Sequence, residues 1–192
     1  MSQDKNLQKK ANIAKHFKAI MEELGLDLND PSLKETPRRV AKMYVDEIFY
    51  GLDPENFPRI MTIPNDMKYN QMLVERDVKV HSMCEHHFQN IVGIAHVAYI
   101  PSAKIIGLSK LNRIVDYYSR RPQVQERLTE DIHKKLVEVL GTQDVAVMID
   151  AKHFCVICRG IKDVNASTIT SKVSGKFLKP EVRKEYFDMI KQ

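Results

Sequence analysis

The sequence predicts an α+β fold, on three observations. Apolar residues recur at helical spacing through the first fifty positions and again through the middle of the chain. Two strand-like stretches, "MLVERDVKVHS" and "NIVGIAHVAYI", follow one another with no helix between them, and two more stand near the end. Adjacent strands without an intervening helix favour antiparallel pairing, which sets this pattern apart from a parallel α/β sheet.

The elements follow in order. From Leu7 to Leu24, apolar residues at Leu7, Ala11, Ala14, Phe17, Met21 and Leu24 step by three and four, as on an amphipathic helix. A second helix is expected from Thr36, a capping residue followed by Pro37 in the first turn, to Gly51, with Val40, Met43, Tyr44 and Ile48 on its buried face. Residues 52–70 hold three prolines and read as a connecting loop with one short strand. The strand pair comes next, with "CEHHF" between its members. "GLSKLNRIVDYYSRRPQVQERLTEDIHKKLVEVLG" is helical, with Pro122 opening a second helix and Gly141 ending it. "DVAVMIDAKHFCVICRGI" is a strand, "NASTITSKVSGKFL" another, and Pro180 opens a short terminal helix. The chain thus divides into an N-terminal helical arm, 1–55, and a main domain, 56–192.

Bulk composition limits the function. The chain has 192 residues, 43% of them hydrophobic and 29% charged, which suits a real core and a solvated surface. No apolar run approaches the ~20 residues of a membrane helix, and "MSQDKNLQKK" lacks the core of a secretory signal. No membrane partner is expected. Three cysteines argue against a disulfide framework and point to a reducing cytoplasm. The net charge of +5 comes from scattered basic pairs such as "TPRR" and "SRR", which suit a phosphate pocket better than a nucleic-acid track.

The stretch "HSMCEHHFQN" concentrates metal-binding side chains. Cys84 and His87 form C-x-x-H, and Cys155 and Cys158 add a later C-x-x-C. Two sites are conceivable: a closed structural zinc with all four, or an open catalytic zinc with Cys84, His87 and Cys155. Strand parity favours the second. If "KHFCVICRG" is extended, His153, Cys155 and Arg159 share one face and Cys158 points to the other. Cys158 is then a small buried hydrophobe. His96 is a satisfied core or surface histidine, and His133, in a charged helix, is solvated. His81 and His86 remain ambiguous. Glu85 either supports a ligand imidazole or faces solvent. A zinc-stabilised nucleic-acid module is the rival class; it needs four ligands and a contiguous basic face.

"SMCEHHF", "YIPSAKIIGLSKLNRIV", "RRPQVQERLT" and "HFCVICRGI", together and in this order, resemble the type I GTP cyclohydrolases. The resemblance runs from "ETPRRVAKMYVDEIFYGL" to "ASTITS". It implies a tunnelling fold, here a four-stranded antiparallel sheet with two layered helices plus the helical arm. It also implies a toroidal homodecamer with active sites at subunit boundaries. The implied reaction converts GTP and water to 7,8-dihydroneopterin triphosphate and formate, the first step of tetrahydrofolate and pterin biosynthesis, with zinc-activated water attacking purine C8. One Zn2+ per subunit falls on Cys84, His87 and Cys155. His153 becomes the proton donor at N7, and His86 and Ser109 assist at the ribose. Gln125 and Glu126 become guanine contacts, and Arg39, Lys110, Arg113 and Arg159 hold the triphosphate. Arg39, far off in sequence, is expected to reach a neighbouring subunit's site. Other tunnelling-fold enzymes share the purine-anchoring glutamate but not the combination of "CEHH" with H-x-C.

Overall fold

The structure is a computed structural model that describes residues 2–191. It divides into two compact units, Met1–Leu52 and Asp53–Gln192. Among the described residues no helix is long and apolar enough to cross a membrane.

The first unit is helical. Helix α1, Ser2–Glu23, buries Met21 and half-buries Ile13, Ala14 and Phe17. Its apolar periodicity is only partly used, because Leu7 and Leu24 are exposed. The helix ends where Gly25 takes φ +75°. The Gly25 N–H then donates to Glu22 O and the Leu26 N–H to Met21 O, the paired bonds of a Schellman cap. Helix α2, Thr36–Met43, has Pro37 in its first turn as expected, but its N-cap is Glu35 and makes no side-chain cap. It runs on into a π-helical turn at Tyr44–Ile48. The expected buried face of Val40, Met43, Tyr44 and Ile48 is shifted. The buried positions are Pro37, Ala41 and Val45, one helical step apart, and the four expected residues are half-buried.

The second unit is mixed α+β. Its strands are β1 (Thr62–Pro64), β2 (Leu73–Cys84), β3 (Asn90–Tyr99), β4 (Lys104–Ile106), β5 (Pro122–Gln123), β6 (Val145–His153) and β7 (Thr168–Val173). Helices α3 (Leu108–Ser119), α4 (Gln125–Leu140), α5 (Phe154–Ile157) and α6 (Pro180–Ile190) fall between and after them. The main sheet has the order β5-β2-β3-β6-β7. The four long strands pair antiparallel, as the sequence predicts, and β5 adds a short parallel edge against Met83 and Cys84. Strands β1 and β4 form a separate antiparallel pair.

Alternation along the strands explains the layering. Val145, Val147, Ile149 and Ala151 of β6 point to one face, where Leu111, Ile114 and Val115 of α3 and Leu128, Ile132, Leu136 and Leu140 of α4 cover them. Ala146 and Ala98 point to the other face, under Phe177, Tyr186 and Ile190. Two sequence expectations need correction here. Pro122 lies in β5, and α4 begins at Gln125; the φ fixed by proline suits an edge strand as well as a first helical turn. His133 is buried rather than solvated, because its face of α4 packs over β7, where Nε2 lies 2.8 Å from Ser174 Oγ. Gly141 does end α4, with φ +64°.

Candidate metal centre and active site

The turn after β2 builds half of the centre. The Phe88 N–H donates to Cys84 O (2.9 Å) and the Cys84 N–H to Gln89 O (2.8 Å), so residues 85–87 make one closed turn. That turn brings Cys84 and His87, three apart, to one side. The Glu85 N–H donates to Gln123 O (3.2 Å), fastening the turn to β5.

The other half comes from the end of β6. The parity argument for Cys155 does not hold as stated, because the strand stops at His153 and Phe154–Ile157 is a helical turn. The Cys158 N–H donates to Phe154 O (2.9 Å), which closes that turn. Cys155 nevertheless meets Cys84 and His87, with the three ligand atoms all within 4.8 Å of one another. Among the described residues no fourth Cys, His, Asp or Glu joins them. Cys158 is exposed, not the buried hydrophobe expected, because the helical turn replaces the strand that would have turned it inward.

The donor set fits a zinc-like cation. Two thiols and an imidazole suit a borderline-soft ion, whose tetrahedral ligands stand roughly 3.5–4 Å apart, so only a small closure is needed. Burial pushes the Cys155 thiol up, and the neighbouring Cys84 thiol adds to that. A divalent ion beside the Cys155 thiol would favour its ionised form.

The other expected residues come from several elements of the two units. His86 is exposed, with Nδ1 3.8 Å from Cys84 Sγ. His153 is the last residue of β6, half-buried, and its Nε2 lies 2.7 Å from Gln125 Oε1. Burial lowers the His153 pKa, partly opposed by the carboxylate of Glu126. Glu126 is exposed in the first turn of α4. Gln125 is buried, and its carboxamide meets protein partners on both ends. Ser109, Lys110 and Arg113 stand on the first turns of α3, with Ser109 and Arg113 exposed. Ser109 makes no cap, since Gly107 occupies that place. Arg159 is exposed just past α5, and Arg39 is exposed on α2 in the first unit.

Sequence reasoning missed Arg127, which lies in the quoted "RRPQVQERLT" but drew no attention beside Glu126. Its Nη1 donates to Glu85 Oε2 at 2.6 Å, and this bond holds the Glu85 carboxyl below its usual range. Glu85 therefore pairs with Arg127 at the surface rather than with a ligand imidazole. It also missed Thr129 and Thr170, whose hydroxyls sit 2.7 Å apart behind Gln125. Nothing in their local spacing marks them.

The family model for GTP cyclohydrolase I matches residues 13–191. GTP cyclohydrolase 1 of Flavobacterium johnsoniae is 55% identical over 184 residues, 96% of this chain and 82% of that protein. The GTP cyclohydrolase 1 of Aeromonas salmonicida is 55% identical over 185 residues, 96% of this chain and 85% of that one. That of Haemophilus ducreyi is 52% identical over 191 residues, 99% and 87%. A distant likeness to the solved archaeosine synthase QueF-Like, apo form, has a TM-score of 0.39 at 19% identity over 56% of this chain and 96% of the other, and adds nothing to the assignment. With a match that spans nearly the whole chain, and a Cys-His-Cys cluster assembled from two of the motifs that suggested it, the chain belongs to the GTP cyclohydrolase I family.

Proposed function

We propose that this chain hydrolyses and rearranges GTP to 7,8-dihydroneopterin triphosphate and formate, at a zinc ion held by Cys84, His87 and Cys155. The observation that carries the reading is the convergence of those three donors within 4.8 Å, with no fourth among the described residues. Three protein ligands leave a coordination position for water or substrate, as catalytic zinc sites do. When bound, the ion supplies Lewis acidity that makes water nucleophilic near neutral pH.

The chain's own residues do the rest. Glu126, a carboxylate in the first turn of α4, accepts from the N1–H and 2-amino group of guanine. His153 gives a proton to N7 as water adds at C8, and takes part again as the ring opens and formate leaves. His86, exposed beside Cys84, serves the ribose with Ser109. Lys110, Arg113 and Arg159 bind the triphosphate, where arginine offers a fork that matches phosphate oxygens. Arg39 joins them from a neighbouring subunit, in a toroidal homodecamer built of tunnelling-fold subunits. Support for assembly is the edge strand β7, which carries Ile169 at 61% exposure, together with exposed Leu7 and Leu24. The N-terminal helical arm, 1–55, belongs to that assembly. A cytoplasmic setting follows from a site that needs reduced thiols.

The test is direct. Incubation with GTP should yield formate and, after oxidation, a fluorescent pterin. A chelator and Cys155→Ala should each abolish both products. Turnover that survives both treatments would end the reading.

A further inference from the structure

The carboxamide of Gln125 is nearly inaccessible, at 1% exposure, and its orientation is forced. Nε2 lies 3.1 Å from Ile149 O, 2.7 Å from Thr168 O and 3.1 Å from Thr170 Oγ1. Carbonyl oxygens only accept, so the amide nitrogen must face them and the amide oxygen must face away. These acceptors are spaced by the β6–β7 register, in which Ile149 pairs with Thr170 and Ala151 with Thr168. Thr129 secures the arrangement from the helix side, donating to Gln125 O at 2.9 Å and meeting Thr170 Oγ1 at 2.7 Å.

That leaves Oε1 pointing at His153 Nε2, 2.7 Å away. An amide oxygen offers lone pairs and no hydrogen. Two lone pairs at that separation repel, so Nε2 must carry the hydrogen. In the neutral ring the free lone pair then sits on Nδ1, which among the described residues makes no hydrogen bond.

We propose that Gln125 is a positioning residue that holds His153 as the Nε2–H tautomer and so makes Nδ1 the nitrogen that exchanges the proton with the substrate. The proposal rests on the assignment of proton exchange to His153 above. It gives Gln125 a role other than contact with guanine, since reaching a nucleotide would require abandoning bonds to two backbone carbonyls and a hydroxyl. Gln125 and Glu126, adjacent at the start of α4, thereby divide the labour: the buried side chain orients the histidine and the exposed one meets the purine.

Nitrogen-15 NMR of histidine-labelled, zinc-loaded protein tests it on the unaltered chain. The His153 ring should show a protonated Nε2 and a bare Nδ1 at a pH where it is neutral. A bare Nε2 would overturn the proposal without any variant. The variant Gln125→Met, similar in length and unable to accept, should give a mixture of tautomers. Its kcat should drop about 10–100-fold, the loss typical when the supporting hydrogen bond of a metal-bound histidine is removed and taken here as the guide for His153, while KM for GTP stays within about threefold. A large rise in KM with kcat unchanged would instead make Gln125 a guanine contact and sink the proposal. Full turnover by His153→Ala would overturn the catalytic role of His153, and the functional half of the proposal with it. The wild-type spectrum would still decide the hydrogen bond on its own.

Discussion

Arg127 grips Glu85 through both terminal guanidinium nitrogens, Nη1 to Oε2 at 2.6 Å and Nη2 to Oε1 at 3.4 Å. The pair joins the first turn of α4, which carries Glu126, to the turn that carries His87. Arg127 is half exposed, so the contact itself adds little to global stability. Its effect should fall on the metal. Arg127→Ala is expected to weaken zinc binding by about tenfold, at the low end for outer-shell partners, with little change in melting temperature. Competition with a chromogenic chelator measures the first and calorimetry the second.

The two cysteines of C-x-x-C should behave oppositely. Cys155→Ala should lose the bound zinc. Cys158→Ser should retain about one per chain, because Cys158 lies outside the donor group and is exposed. In the zinc-loaded protein Cys158 should be the first thiol to react with a disulfide reagent, since Cys84 is buried. Metal analysis and mass mapping of the labelled thiol check both statements.

Gly93 stands where β3 and β6 approach too closely for any side chain. A Cβ there would lie 2.1 Å from Asp150 O and 2.5 Å from Ala151 Cα. Both are backbone atoms of the paired strand, which cannot swing aside. Gly93→Ala should destabilise by at least the 1–3 kcal/mol usual for overpacking, read as a lower urea midpoint.

Acid should loosen the fold before the carboxylates protonate. His133, His96 and His81 all have pKa values lowered by burial. Around His133, Lys172 opposes the charged form and Glu130 favours it. Each group is neutral in both states above the unfolded value of about 6.5, so none affects stability there. Below it the unfolded chain takes up protons that the folded chain refuses, and stability falls as pH drops from about 6.5 toward the lowered folded values. Urea midpoints for wild type and His133→Asn between pH 7 and 5 should show a shallower decline in the variant.

Much of this was legible in the sequence. The antiparallel strand pair, its cysteine-and-histidine connection and the helix stop at Gly141 follow from alternation, spacing and a residue that tolerates positive φ. The convergence of Cys84, His87 and Cys155 was legible too, though for Cys155 by an argument whose premise fails: a β-rich apolar run, "FCVI", folds as a helical turn. Short apolar runs fit either period, and here the closing bond from Cys158 to Phe154 decides. His133 was misjudged because a charged helix was read as wet all round, whereas its ring sits on the face turned to β7. Arg127 and the Gln125 network were illegible, since they depend on which strands lie under the start of α4, a tertiary fact that no local window contains.

Strand β6 sets its neighbours' partners one by one, with Ile91 opposite His153 and Tyr99 opposite Val145. Deleting Ala146 would push Phe154 into the place of His153, and would turn Val147 and Ile149 of the apolar row outward in the same stroke. The place of His153 and the inward apolar row are thus set by one frame of alignment, and a change of length along this strand disturbs both unless a bulge absorbs it.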